Sequence, residues 1–195
     1  LAPIAEARRW ELVTLLMPAC RFGAEFETRS AECNAYNRAS AAYVLEHRPD
    51  AVFTVATQTH EEAPFETEVP AYLDGIQPIA DAGIAIVGIR DNPRFTINMP
   101  ECVQRHGADA PACNPPLNES LVEPSPLESY RGKVDGLYLM DLSDFICAGG
   151  ICPAVVGNVY VYKDDNHLSR TYVESMIPMF EERMLAATGW KCRGP

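Results

Sequence analysis

Apolar residues fall into short blocks separated by polar, Pro- and Gly-containing stretches, and the period of each block predicts its element. Leu1, Ile4 and Ala5 share one face of a helix end closing near Arg9. Residues 11–17 (ELVTLLM) are an apolar run stopped by Pro18, which predicts a buried strand. Residues 28–48 have helical spacing, with Ala31, Ala35, Ala42, Val44 and Leu45 as core positions and Pro49-Asp50 as the stop. A strand is predicted over 51–55, then a helix over 72–82 with Gly83 as its C-terminal cap. Residues 84–89 form a continuous apolar strand ended by Asp91-Asn92-Pro93. Residues 94–132, rich in Pro and Asn, read as an irregular excursion with one short helix. A strand returns over 137–142, followed by the Gly-rich loop 147–152 (CAGGIC) and a short extended piece at 159–162. The last helix is predicted over 171–187, with Tyr172, Met176, Met179, Phe180 and Leu185 facing inward. Strands this apolar, alternating with helices, predict an α/β fold whose mostly parallel sheet is covered on both faces. No repeat, low-complexity tract or linker divides residues 1–195, so one domain is expected.

Charge and cysteine content narrow the setting. The net charge is −11 and no basic stripe is present, which argues against nucleic acid and against charge-driven docking on anionic lipid. No run reaches the ~18 apolar residues of a membrane span, and no charged-then-apolar leader opens the chain. Any signal or anchor is therefore expected to have been removed or to lie outside it. Seven cysteines are many for a cytosolic enzyme. Six of them allow fifteen pairings, so spacing alone does not settle the connectivity. Local pairing is the simplest reading: Cys20 with Cys33, Cys102 with Cys113, and Cys147 with Cys152, each closing a short loop. Cys192 is left over. CxxC spacing with nearby histidines is absent, so no metal is expected. Paired cysteines imply an oxidising compartment.

Of the four histidines, His47 sits at a helix end, His60 precedes Glu61-Glu62, and His106 lies in the irregular excursion. All three read as surface residues. His167 differs, because it closes the run Asp164-Asp165-Asn166-His167 just before a helix. An Asp three residues before a His in a turn can aim its carboxylate at the imidazole. That bond fixes the tautomer and stabilises the imidazolium formed when the ring takes a hydroxyl proton. The alternative is that the two acids merely favour the positive end of the following helix. Local sequence leaves both open.

Several stretches resemble one family, in its own order and over nearly the whole chain. They are WELVTLLMPAC (10–20), RPDAVFTVATQT (48–59), ADAGIAIVGIRDNPRF (80–95), PECVQRHGADAPAC (100–113) and MDLSDFICAGGICPAVVGNVYVYKDDNHLS (140–169). Together these are similar to the SGNH-hydrolase-like extracytoplasmic domains fused to acyltransferase-3 membrane proteins, in their actinobacterial form. The resemblance implies a three-layer α/β/α, flavodoxin-like sandwich, and it supports the three local cysteine pairs. It implies Asp164 as the orienting acid and His167 as the general base. The family's nucleophile lies in a Gly-Asp-Ser motif ending the first strand. This sequence has no Gly-Asp-Ser, so the first strand is expected to be missing and the serine to lie upstream of Leu1 or to be absent. Many family members carry a Gly-x-Asn block for oxyanion binding. Here the corresponding stretch is Ala56-Thr57-Gln58-Thr59, which leaves Thr57 or Gln58 as donors, or as ordinary loop polarity. The Asp91-Asn92-Pro93 turn also matches. It could serve the site rim, although simply ending a strand is the plainer role.

The resemblance implies an O-acyltransferase, with acetyl as the expected group. A serine ester would pass the acyl group to a hydroxyl of an envelope glycan or glycolipid. A membrane-embedded acyltransferase-3 domain of the same protein would be the donor, at the outer face of the cell membrane and with no cofactor. The alternatives are a secreted esterase and a degenerate domain that binds a glycan or a partner.

Overall fold

The computed structural model describes residues 1–60 and 66–190; Cys192 lies outside them. Three parallel strands form the central sheet in the order β1 (Ala51–Val55), β4 (Ala85–Ile89), β5 (Leu137–Met140). Ala51 pairs with Ala85 and Ile86 with Leu137, so β4 is hydrogen-bonded on both sides. Its residues alternate between two cores. Ile86 packs with Ile76 and Ile79 of helix α3 (Tyr72–Asp81) and Val44 of α2 (Ala31–His47). Val87 packs on the opposite face with Ile4 of α1 (Ala2–Arg8), Met140, and Met184 of α7 (Ile177–Thr188). This is the expected α/β sandwich with a parallel sheet flanked by helices. Gly88 lets Tyr72 reach the sheet, because a Cβ there would stand 2.9 Å from the Tyr72 hydroxyl. That hydroxyl lies 2.6 Å from Thr54 Oγ1.

A short antiparallel hairpin, β2 (Thr57–Thr59) with β3 (Glu66–Glu68), rises from the end of β1. Nothing in the hydrophobic pattern predicted it. The irregular excursion contains α4 (Met99–His106) and three single 3₁₀ turns. Two disulfides, Cys102–Cys113 and Cys147–Cys152, help build a separate core there with Phe95, Met99, Tyr162, Tyr172 and Met176. Helix α5 (Ser143–Ile146) and the two-residue strands β6 (Val155–Val156) and β7 (Val159–Tyr160) enclose it.

Three expectations fail. Residues 11–17 form no strand and are not buried: Leu12, Val13, Leu15 and Leu16 are exposed, Leu16 at 82%. Met17 O accepts from Cys20 N–H at 3.2 Å, a local turn and not a rung of a sheet. A strand is buried by its neighbours, and this one has none. Correspondingly, among the described residues β1 pairs only with β4. Ala56 N–H donates to Ile89 O at 2.8 Å and Asp50 O accepts from Ala85 N–H at 3.2 Å, so the alternate residues Ala51, Phe53 and Val55 direct their backbone groups to the open edge.

In α2 the expected Ala31, Ala35 and Ala42 are exposed, and the buried face is Cys33, Asn34, Asn37, Ser40 and Val44. Its polar residues hold a loop rather than a core. Asn34 Nδ2 donates to Phe26 O at 3.0 Å, and Asn37 Nδ2 to Arg21 O at 3.0 Å. The last helix is two helices, α6 (Arg170–Ser175) and α7, broken at Met176 with Pro178 in the first turn of the second. The restart changes the phase, so Met184 is buried, Met179 is exposed, and Phe180 and Leu185 are half-buried.

Candidate active site

The loop carrying Asp164 and His167 is a hairpin tip. Tyr162 bridges Leu168, and Lys163 N–H donates to His167 O at 2.9 Å. Ser169 then caps α6 by accepting from Tyr172 N–H at 3.2 Å. Asp164 organises the tip from within. Its Oδ1 accepts the backbone N–H groups of Asn166 (3.0 Å) and His167 (2.7 Å), while Oδ2 accepts from His167 Nδ1 at 2.9 Å. A carboxylate receiving two backbone bonds has little freedom to turn away, so its second oxygen stays against the imidazole. Burial raises the Asp164 carboxyl pKa, but the two amides and the imidazole outweigh it and hold the group below its ordinary value. Asp164 is 31% exposed and His167 63% exposed, so the acid is sheltered while the ring reaches solvent. With Nδ1–H bound to Asp164, Nε2 is the outward-facing acceptor.

The turn following β4 clamps this tip. Phe95 N–H donates to Asp165 O at 3.0 Å and Met99 N–H to Asp164 O at 3.3 Å. Asn92 Nδ2 donates to Asn166 O, and Arg94 Nε pairs with Asp165 Oδ2 at 3.0 Å. Below, Phe95 packs edge-on against Tyr162 with ring centroids 5.3 Å apart. Asp91 ties the same turn to the opposite rim. Its Oδ2 accepts from Thr59 N–H at 3.0 Å and pairs with Arg21. The Asp91-Asn92-Pro93 turn therefore ends β4 and also joins the two rims. The roles of Arg21 and Arg94 depend on partners 70 and 71 residues away, and no sequence signal announced them.

Thr57 and Gln58 lie on β2. Thr57 is fully buried, and its hydroxyl donates to Glu66 Oε1 at 2.9 Å while accepting from Asp91 N–H at 2.9 Å. That proton is committed inside the protein. Gln58 is half-buried and donates to Thr67 Oγ1 at 3.2 Å. Underneath, Arg90 and Glu66 form a buried ion pair with Nη2–Oε2 at 2.7 Å, their side chains 1% and 0% exposed. Arg90 also bonds Asp141 at 2.9 Å and Val122 O at 2.8 Å, joining the ends of β4 and β5 to the hairpin. Burial alone would lower the Arg90 pKa; Glu66 and Asp141 raise it instead, so the guanidinium is charged throughout the working range.

Cys20–Cys33 is bonded like the other two pairs, with Cα atoms 5.6 Å apart. His47 Nδ1 lies 2.9 Å from Tyr43 O in the preceding turn, His60 Nε2 lies 3.2 Å from Thr67 Oγ1, and His106 ends α4 on the surface. Among the described residues, no three His, Cys, Asp or Glu cluster to hold a metal ion, and no helix is long and apolar enough to cross a membrane.

An acid–histidine pair on a loop beside the C-terminal ends of a parallel sheet is an arrangement used in hydrolases and acyl transferases. The chain belongs to the family of SGNH domains fused to acyltransferase-3 domains, whose family model matches residues 1–182. Among solved structures, the periplasmic domain of a lipopolysaccharide acetyltransferase from Salmonella ser. Paratyphi A has a similar fold. Its TM-score is 0.58 at 12% identity, covering 94% of this chain and 77% of that one. No curated protein sequence matches.

Proposed function

We propose that this chain is an SGNH domain that moves an acyl group, acetyl first among candidates, onto a hydroxyl of an envelope glycan or glycolipid. The carrying observation is the bond of 2.9 Å between Asp164 and His167 Nδ1, which turns Nε2 outward as a base. The nucleophile in this reading is a serine outside residues 1–195, since no Gly-Asp-Ser occurs within them. His167 Nε2 takes the serine proton as the serine oxygen attacks the donor's acyl carbonyl. The tetrahedral intermediate collapses, the leaving group receives that proton, and a serine ester remains. His167 then takes the acceptor hydroxyl's proton as its oxygen attacks the ester, and returns the proton to the departing serine. Asp164 stabilises the imidazolium in both halves. Water in place of the acceptor gives esterase activity.

The family's fusion to acyltransferase-3 domains supports a membrane acyltransferase domain of the same protein as donor; in this reading the chain is its C-terminal extracytoplasmic part, of actinobacterial type. The test is His167→Ala in the intact membrane protein, with acylation of envelope glycan read by mass spectrometry. Loss at normal protein levels is expected; unchanged acylation overturns the reading. A second reading, a glycan- or partner-binding module without catalysis, is favoured by the committed Thr57 hydroxyl and the missing Gly-Asp-Ser. Acylation surviving both His167→Ala and Asp164→Ala would select it.

A further inference from the structure

An open cavity of about 210 Å³ lies against the rim opposite His167, between the loop before α2 and hairpin β2–β3. Arg21, Phe26, Arg29, Gln58 and Val69 line it, and Cys33 of the Cys20–Cys33 bridge forms part of its wall. It is smaller than the roughly 300–1,000 Å³ typical of drug-sized pockets, so it suits one small charged group or one sugar ring.

Its electrostatics are opposite to those of the whole chain. Arg29 is half-buried, and its guanidinium donates only to backbone carbonyls, Ala24 O and Pro70 O (2.8 Å for the latter). No described carboxylate pairs with it. Glu25, Glu27 and Glu32 are nearby in sequence, but all three are solvent-exposed and Glu25 is taken by Arg38 at 3.0 Å. Burial without a counter-charge lowers the Arg29 pKa. Arg21 shares Asp91, and its Nε is buried without a partner. Among the described residues, two guanidinium groups thus face one carboxylate, in a protein of net charge −11. A half-buried cation lacking a counter-ion is partly stripped of water, and an anion entering from solvent relieves that cost. The cavity is coupled to the acid–base pair through Arg21, Asp91, Asn92 and the Asn166 carbonyl.

We propose that this cavity binds an oxyanion, a carboxylate or phosphate group, carried by the acceptor whose hydroxyl is acylated, so that the acceptor is an acidic glycan. The oxyanion docks on Arg29 and Arg21, Phe26 offers its ring to the sugar face, and the acceptor hydroxyl lies toward His167. The inference rests on the acyl-transfer reading for the word acceptor, whereas the anion site stands on its own geometry.

The test is calorimetric titration of the protein at low salt with methyl glucuronide, glucose 6-phosphate and neutral methyl glucoside. Binding of either anion, at least tenfold tighter than the glucoside and weakened by salt, is expected. The ratio between the two anions identifies the oxyanion. Because Arg29 also fastens the loop, the decisive variant is Gln58→Glu, which adds a negative charge to the wall without touching that fastening. It should weaken anion binding tenfold or more with no fall in melting temperature, while His167→Ala binds as the parent does. Equal binding of anion and glucoside, no anion binding, or binding indifferent to Gln58→Glu overturns the proposal. Acyl transfer that requires His167 without anion binding removes this inference alone. Anion binding with acyl transfer indifferent to His167 removes the catalytic reading alone.

Discussion

Replacing Arg90 by Met tests whether the rim of the candidate site is held from beneath by charge. Arg90 makes two hydrogen bonds of 3.0 Å or less to Glu66, through Nε and Nη2, and the Glu66 side chain is 0% exposed. Removing one partner of a buried pair costs about 3–5 kcal/mol, because the other charge is left uncompensated. Glu66 would keep Thr57 Oγ1 at 2.9 Å and Val122 N–H at 3.3 Å. The loss should therefore lie near the lower end, about 3 kcal/mol. For a chain of this size that corresponds to a fall of about 6–12 °C in Tm. With an m-value of roughly 2 kcal/mol/M in urea, the midpoint would fall by about 1.5 M. Urea unfolding followed by circular dichroism reads both the midpoint and the slope. The double variant Arg90→Met with Glu66→Gln should recover part of the loss, since the amide carries no charge and can still accept from Thr57. A single-variant loss under about 1 kcal/mol, or a double variant no more stable than the single, would refute the reasoning.

Other outcomes follow from the same geometry. Asp164→Asn should keep the turn, because the amide oxygen still accepts from Asn166 and His167 N–H, yet lower acyl transfer by about 10⁴ by presenting an N–H to Nδ1; single-turnover acylation kinetics check it. Asp164's folded pKa is lowered, so its charged-state contribution is full above the ordinary carboxylate value of about 3.9 and fades as pH falls through the lower folded value. Acid titration of loop amides by NMR should therefore show the hairpin tip loosening below that value and not near neutrality. Gly75→Ala would place a Cβ 2.5 Å from Ala24 N and 2.6 Å from Gly23 C. It should cost about 1–3 kcal/mol in thermal unfolding and weaken anion binding by lifting the loop that carries Arg21 and Arg29. Cys20→Ser with Cys33→Ser opens a loop of sequence separation 13. It should cost about 3 kcal/mol in the same assay, whereas reducing agent should leave that variant's Cys20–Cys33 region unaffected.

What the sequence revealed depended on how far each signal had to reach. β1, β4 and β5 were legible because parallel strands covered by helices are mostly apolar, even in β1, which is only half-buried, and the stops Pro49-Asp50 and Asp91-Asn92-Pro93 bound two of them. The same rule misread residues 11–17, whose apolar run is equally continuous. Burial of a strand is a property of its neighbours, and Leu16 has none. α2 was legible as a helix, but its inward face is polar because Asn34 and Asn37 serve a loop, which hydrophobic periodicity cannot register. The α6–α7 break was within reach, since Pro178 cannot continue a helix by donating its own N–H. Asp164 and His167 could be paired on paper because only three positions separate them. The buried Arg90–Glu66 pair spans 24 residues, and the Arg94–Asp165 clamp spans 71. Neither has a local signature, and the β2–β3 hairpin was missed with them.

The clamp between the turn after β4 and the hairpin tip supplies a clock as well as a support. Phe95 and Met99 offer their amide hydrogens to Asp165 O and Asp164 O, and Lys163 offers its own to His167 O. The first two protons are shielded only while the tip is docked, the third for as long as the hairpin itself is intact. Their exchange with deuterated water therefore measures how often the acid and base leave the sheet, without substrate or turnover. Slow, matched exchange at the three positions would mean a pair assembled before any ligand arrives. Fast exchange at Phe95 and Met99 with slow exchange at Lys163 would mean an intact hairpin that swings as a unit, and assembly of the site would then belong to the binding step.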